Sequence, residues 1–228
     1  MAMLVVDQKT CTQCGICAGV CPGGIIDFHP ETYPALGPAM EAMCLRCGHC
    51  VAACPSGSLT HRDMPLAGFP PIQSELIISA AQTEQFLRAR RSIRVYQDRT
   101  VSRDLITRLI EIARYAPTGH NNQDVEWMVV DNKVELLRLE KIAVDWIKNV
   151  IRQSPQMAAA MNFEGMLVKQ EKDYNGFLRG APALIVVHSA KNNPMALIDC
   201  TIAMTYLELA ATTLGLGACW AGLVYAMT

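Results

Sequence analysis

Eight of the ten cysteines follow one spacing pattern that is written twice along the chain. The two copies are Cys11, Cys14, Cys17 and Cys21 before Pro22, and Cys44, Cys47, Cys50 and Cys54 before Pro55. Three thiolates spaced three residues apart on a tight, glycine-containing loop can reach three corners of one iron–sulfur cubane. The spacing therefore predicts two [4Fe–4S] clusters and, with them, one-electron transfer.

The fourth cysteine of each copy lies beyond the reach of its own loop. The repeat, at about residues 3–62, resembles the bacterial two-cluster ferredoxins, in which the fourth cysteine binds the other cluster. The resemblance implies one cluster on Cys11, Cys14, Cys17 and Cys54, and a second on Cys44, Cys47, Cys50 and Cys21. Zinc sites and disulfides are the alternatives. Zinc does not explain a third cysteine at this spacing, and disulfides are typical of secreted chains.

Composition limits the remaining classes of function. With 228 residues the chain has room for one or two domains, and 51% hydrophobic residues predict a sizeable core. The net charge of −1 argues against nucleic acid, which requires a clustered basic face. The first residues lack a basic segment and a long apolar stretch, so we expect no signal peptide. Thiolate ligands favour a reducing, cytoplasmic location.

One apolar segment is long enough to raise the question of a membrane span. Between Ala203 and Met227, Glu208 is the only charged residue. Three glycines interrupt the segment and no basic flank follows it. We therefore predict a buried helix, a turn and the start of a strand, with no membrane partner, and a span remains the alternative.

The sequence divides into two domains joined by a proline-rich connector. We predict a ferredoxin domain at 1–63, a linker at 64–73 and a second domain at 74–228. Helical patterns cover 74–90, a segment that Ser102 begins, 133–153 and 194–214; strand patterns cover 125–131 and 182–188. The run of four apolar residues at 184–187 predicts that the second strand is fully buried. In the first helix, Ile77, Ile78, Ala81 and Phe86 are predicted to face inward. The order of elements predicts an α+β class.

Three motifs in the second half could act on one ligand. They are Arg90-Arg91-Ser92-Ile93-Arg94, the loop 116–123 (APTGHNNQ) and the segment 215–220 (GLGACW). Guanidiniums around a hydroxyl suit a phosphate, amides suit the edge of a flat heterocycle, and glycines permit close backbone approach. Each has an ordinary alternative, namely a solvated basic patch, a polar connector and a helix C-cap.

In this order, and together with APALIVV at 181–187, the motifs resemble the nitroreductase-like flavin enzymes over about residues 84–228. The resemblance implies a nitroreductase-like, three-layer α+β domain that binds FMN without a covalent bond, in a homodimer. The FMN phosphate and ribityl chain would contact Arg90, Arg91, Ser92 and Arg94. The isoalloxazine would contact Pro117, Thr118, Gly119 and Asn121, with Gly215, Leu216, Gly217, Ala218 and Cys219 on its other side.

Two features depart from the family pattern. The family often has Gln-Pro-Trp where this chain has Gln123-Asp124-Val125. The chain also ends eight residues after Trp220, whereas the family continues with further strand and helix and a basic residue at the phosphate. We therefore expect the second domain to be short at its C-terminus.

The combination predicts an iron–sulfur flavoprotein oxidoreductase. A low-potential donor, such as a ferredoxin, a flavodoxin or a reductase, would feed two clusters that relay electrons to FMN. The final acceptor would be a small organic molecule of nitro or quinone type, and the segment 154–180 is our candidate for its pocket. NAD(P)H is expected to be a poor donor, and the sequence indicates no acid–base catalyst. The alternative is a ferredoxin-type electron carrier whose second domain is a docking scaffold.

Overall fold

The protein divides into two compact units by its internal contacts. The computed structural model describes residues 2–65, 68–171 and 176–227. The first unit is Met1–Ile78 together with Thr118–Gln123, and the second is Ser79–Pro117 with Asp124–Thr228. The predicted domain bounds at 63 and 74 stay predictions. The division by contacts lies between Ile78 and Ser79, and it also assigns Thr118–Gln123 to the first unit. Leu66 and Ala67 of the predicted linker, and positions 172–175 of the predicted acceptor segment, lie outside the described residues.

Short elements surround the cysteine loops in the first unit. The strands form two antiparallel pairs: β1 (Leu4–Val6) with β4 (Leu59–His61), and β2 (Ile26–Asp27) with β3 (Ala35–Leu36). The helices are α1 (Ile16–Gly19) and α2 (His49–Ala52), with 3₁₀ turns at Pro38–Met43 and Ser74–Leu76. The core consists of Leu4, Cys17, Ile25, Ile26, Val51 and Leu59. So small a core suits a domain in which bound clusters supply much of the cohesion.

Helices dominate the second unit. They are α3 (Ala80–Ala89), α4 (Arg103–Ala113), α5 (Lys133–Gln153), α6 (Pro155–Ala160), α7 (Phe163–Glu171), α8 (Ala196–Thr213) and α9 (Gly222–Ala226). Strands β5 (Glu126–Val130) and β6 (Leu184–His188) pair antiparallel, with Trp127 opposite Val187. Helix α4 packs on α8, and α5 packs on α6 and α7. The α+β class is confirmed, while the three-layer arrangement stays a prediction.

Side-chain caps fix where three of these helices begin. Ser79 and Gln82 form a capping box at the start of α3. The Ser102 hydroxyl accepts a hydrogen bond from the Leu105 amide, which confirms Ser102 as an N-cap. Asn132 Oδ1 accepts hydrogen bonds from two amides of α5, whose bounds agree with the predicted 133–153.

Three sequence predictions about local structure were wrong. The helix predicted over 74–90 begins only at Ala80, so Ile77 and Ile78 precede it and are exposed rather than inward. The strand predicted as fully buried, β6, is only partly buried because it pairs on one side. The strand predicted after the glycine motif is instead helix α9.

Two apolar clusters hold the second unit together. Leu109, Ala113, Leu207, Ala210 and Ala211 join α4 to α8. Ile147, Ala158 and Phe163 join α5 to the two helices that follow it. Within the described ranges, no helix is both long enough and apolar enough to cross a membrane.

Candidate functional site

The eight motif cysteines line two separate recesses of the first unit. One recess is lined by Cys11, Cys14, Cys17 and Cys54, and the other by Cys21, Cys44, Cys47 and Cys50. Each fourth cysteine has therefore crossed to the opposite set, as the ferredoxin resemblance implied. The exchange is possible because α1 and α2, which carry the two loops, pack against each other.

Glycine sets the direction of each cluster loop. Gly15 and Gly48 hold the N-cap positions of α1 and α2 with φ of 71° and 72°, a left-handed conformation that favours glycine. A Cβ added at Gly15 would lie 2.6 Å from Phe28 Cε1. The positive φ and the lack of space for a Cβ atom therefore both require glycine at position 15. The turn lets the sulfurs on either side of it line one recess.

The arrangement of the thiols fits the cluster chemistry that their spacing predicts. All ten cysteines are free thiols. In the part of the chain that the structure describes, no three histidine, cysteine or carboxylate side chains converge closely enough to share one metal ion. In a [4Fe–4S] cubane each thiolate binds a different iron, so the four sulfurs that line each recess can be spaced more widely than the ligands of a single ion.

The surroundings of the thiols differ in their effect on ionisation. Burial raises the pKa of Cys17 and of Cys50. Burial also acts to raise the pKa of Cys54, but hydrogen bonds from Ser56 and neighbouring backbone amides outweigh it and lower that pKa. The Ser58 amide donates to Cys54 Sγ at 3.3 Å, and Ser56 Oγ lies 3.7 Å from it. Since clusters bind thiolates, these donors favour the ligating form.

A histidine that sequence reasoning missed lies beside the second recess. His61 is 2% exposed, and its Nε2 lies 3.6 Å from Cys44 Sγ. Its Nδ1 accepts a hydrogen bond of 3.1 Å from the Asp63 amide. Burial lowers the pKa of His61, which favours the neutral ring. A lone histidine outside the cysteine motif does not by itself indicate a cluster. Alignment of the two cysteine copies could have identified His61, because it takes the position of Phe28 in the first copy.

Part of the loop predicted to line the isoalloxazine belongs to the first unit. Within that unit the Asn121 amide donates to the carbonyls of Leu45 and Arg46, at 3.2 and 3.0 Å. Gln123 supports the loop, since its side-chain amide donates to Asn121 Oδ1 at 3.1 Å. Leu45 and Arg46 stand between Cys44 and Cys47, two of the cysteines that line the second recess. The loop segment that includes Thr118, Gly119 and Asn121 is therefore fastened to the loop of that recess.

In the second unit, the arginine motif and the glycine motif meet. The Ile93 amide donates to the Ala218 carbonyl at 2.9 Å. A Cβ added at Gly217 would lie 2.8 Å from Ile93 Cγ2, so glycine permits this close approach. Two motifs separated by more than a hundred residues thus share one location, as a common ligand would require.

Gly215 and Leu216 have a structural role at the end of α8. The Leu216 amide donates to the Ala211 carbonyl, the Gly215 amide to the Thr212 carbonyl, and Gly215 has a φ of 69°. This is a Schellman C-cap. Leu216 also packs against the cluster that joins α4 to α8. Gly215 and Leu216 therefore form a helix cap, which was the alternative to a cofactor site. Their contact with a cofactor stays a prediction. The predicted contact of Pro117, which follows α4, also stays a prediction.

The arginines of the motif differ in their partners. Arg90 Nη1 lies 3.1 Å from Glu208 Oε1, and the Trp220 indole donates to Glu208 Oε2 at 3.2 Å. Arg91 and Arg94 are exposed at the surface, and Arg94 Nη1 donates to the Ser92 carbonyl at 3.4 Å. Two exposed guanidiniums beside a hydroxyl fit an anionic phosphate. The remaining arginine of the motif, Arg90, pairs with Glu208, a second residue that the sequence motifs did not indicate.

Comparisons with known proteins identify a family for each half of the chain. Residues 87–227 match the Nitroreductase family, and residues 10–59 match the 4Fe-4S dicluster domain. A protein of Methanothermobacter thermautotrophicus, named as an NADH dehydrogenase/NAD(P)H nitroreductase, is 27% identical over 64% of this chain. The alignment spans 63% of that relative's length.

Solved structures resemble the second half as well. A nitroreductase with bound FMN from Desulfitobacterium hafniense is 26% identical, with a TM-score of 0.52 over 66% of this chain and 76% of that one. A nitroreductase with bound FMN from Bacteroides fragilis is 23% identical, with a TM-score of 0.52 over 62% of this chain and 70% of that one; it supports the fold alone.

Proposed function

We propose that this chain, which belongs to the Nitroreductase family, is an iron–sulfur flavoprotein oxidoreductase that relays electrons from a low-potential donor through two [4Fe–4S] clusters to FMN and then to an organic acceptor. The observation that carries the proposal is the union, in one polypeptide, of crossed thiolate sets and a unit in which the arginine and glycine motifs meet. A tethered one-electron carrier is useful to an enzyme whose cofactor must be reduced by single electrons.

The side chains available in the second unit suit FMN. Arg91, Ser92 and Arg94 would hold the phosphate, because two exposed guanidiniums and a hydroxyl offer charge-assisted donors. Arg90 is oriented by Glu208 and would approach the same group with less freedom. When bound, FMN would supply the two-electron chemistry that clusters lack. The nitroreductase with bound FMN from Desulfitobacterium hafniense supports this choice of cofactor.

A second copy of the chain is the partner we propose for the second unit. Large apolar side chains are at least half exposed on α5 and α8: Val134, Leu137, Ile142, Leu197 and Ile198. Exposed apolar patches of this kind mark association surfaces. The expected state is therefore a homodimer, which light scattering on the purified protein tests. A cytoplasmic location is proposed with it, because the clusters need reduced thiols.

The cofactor content tests the proposal. After anaerobic purification, about eight irons per chain and released FMN are expected. Arg94→Ala should weaken FMN binding about tenfold or more, since a charge-assisted hydrogen bond contributes about 1.5–3 kcal/mol. Arg99→Ala, another exposed arginine nearby, is the matched control and should leave the affinity unchanged. Equal affinities of the two variants would contradict the assignment of the phosphate site.

Two further outcomes separate the proposal from its rivals. Eight irons with no FMN, even after FMN is added, would favour the carrier protein with a docking scaffold. Rapid bleaching of FMN by NADPH in a cysteine-to-serine variant without clusters would overturn the expectation that NAD(P)H is a poor donor. The name of the archaeal relative makes that second experiment necessary. The acceptor is then identified by steady-state assays with nitroaromatics and quinones.

A further inference from the structure

The two copies of the cysteine motif differ at a position that is buried in the second copy. Cys11 and Cys44 are 33 residues apart, and so are Phe28 and His61. The repeat therefore places a phenylalanine in the first copy where the second has a histidine. Phe28 packs its ring against Gly15 and offers no hydrogen-bond donor. The equivalence gives His61 a matched counterpart that has an aromatic ring but no N–H group.

The hydrogen bonds of His61 determine which of its ring nitrogens carries the proton. Nδ1 accepts from the Asp63 amide, so in the neutral ring the hydrogen is on Nε2. That nitrogen lies 3.6 Å from Cys44 Sγ, within range of an N–H···S hydrogen bond. Since the side chain is 2% exposed, water does not compete for the sulfur on this side. The donor therefore points at a ligand of the second cluster.

Hydrogen bonds to cluster sulfurs change the reduction potential. Reduction adds one electron, and hence negative charge, to the cluster and its thiolates. A fixed N–H donor stabilises that added charge, and it does so more strongly in a buried, low-dielectric site. At Cys54, a ligand of the first cluster, one donor is the backbone amide of Ser58. The other donor is the hydroxyl of Ser56, a residue that is exposed, so water can replace this second hydrogen bond.

We propose that His61 raises the reduction potential of the second cluster, which Cys21, Cys44, Cys47 and Cys50 would hold, and thereby shifts the distribution of electrons between the two clusters towards the second. When bound, the two clusters would supply one-electron transfer. His61 acts through Cys44, since its N–H group stabilises negative charge on that sulfur.

An independent contact fastens another motif to the second cluster's loop. Asn121 donates to the carbonyls of Leu45 and Arg46, in the loop between Cys44 and Cys47. The segment that resembles a flavin loop is thereby joined to the second cluster's loop, within the first unit. A role of that segment beside a flavin rests on the proposed function, whereas the effect of His61 on the potential does not.

The test is an anaerobic redox titration of the full chain, followed by electron paramagnetic resonance, on wild type and His61→Phe. The variant reproduces the residue of the first copy. We expect one midpoint potential to fall and the other to stay, shifting the equilibrium between the clusters about tenfold, or about 59 mV for one electron. His29→Phe, which replaces an exposed histidine outside both recesses, is the control and should move neither potential.

Two more measurements keep the inference falsifiable if the phenylalanine variant loses a cluster. His61→Gln keeps an N–H donor and should give an intermediate potential. Labelling with ¹⁵N-histidine should show a hyperfine coupling in the reduced wild type that His29→Phe keeps and His61→Gln loses. Unchanged potentials in both His61 variants, or an equal fall of both potentials, would overturn the inference. None of these readouts requires FMN, so failure of the proposed function would appear separately.

Discussion

Replacing Glu208 with alanine should destabilise the second unit by about 2 kcal/mol. Glu208 is on α8 with its side chain 11% exposed, and it accepts from Arg90 at 3.1 Å and from the Trp220 indole at 3.2 Å. The substitution removes the acceptor of both hydrogen bonds. Each bond to a charged group contributes about 1.5–3 kcal/mol when buried. Arg90 is 35% exposed, so water screens its bond to about 0.5 kcal/mol. The indole bond contributes about 1.5 kcal/mol, which gives the total of about 2 kcal/mol.

Tryptophan fluorescence during anaerobic urea unfolding measures the effect. The three tryptophans, Trp127, Trp146 and Trp220, all belong to the second unit, so their signal reports that unit and not the cluster domain. The matched control is Glu111→Ala, which breaks an exposed pair with Arg108 at 3.4 Å. That pair should contribute less than about 0.5 kcal/mol.

A comparison of the two variants decides the matter. If Glu208→Ala and Glu111→Ala lower the free energy of unfolding equally, then the buried carboxylate does not hold the two segments together. The double variant Arg90→Ala/Glu208→Ala adds a second criterion. Because the two residues are in contact, their effects should fall short of additivity by about 0.5 kcal/mol or more.

Two further changes test the packing by the same fluorescence assay. Gly217→Ala should cost about 1–3 kcal/mol, because its Cβ would lie 2.8 Å from Ile93; Gly222→Ala, whose Cβ meets nothing within 4 Å, is its control, and equal costs would refute the close approach. Asn132→Ala should cost about 1 kcal/mol, since it removes the acceptor of two amides at the start of α5, and an unchanged free energy of unfolding would refute that cap.

Much of the first unit could be predicted because its chemistry is local in sequence. The spacing of the cysteines reflects the size of a cubane, so it indicated both clusters, and the resemblance to two-cluster ferredoxins implied the crossed ligands before any fold was known. The helix over Lys133–Gln153 was equally accessible, since its apolar spacing and its cap at Asn132 lie within one segment. The start of α3 was misjudged because Ile77 and Ile78 extend the apolar pattern past the capping box that begins the helix.

The sequence by itself determined the ligands, the α+β class and the three motifs, because each depends on residues close together in the chain. Only the tertiary structure decided which distant residues became partners. It placed His61 against Cys44, Glu208 against Arg90, and Asn121 on the carbonyls of a cluster loop. Buried polar groups must find hydrogen-bond partners, and those partners come from whatever the fold brings within about 3 Å. The spacing of residues along the sequence does not indicate which distant residues become partners.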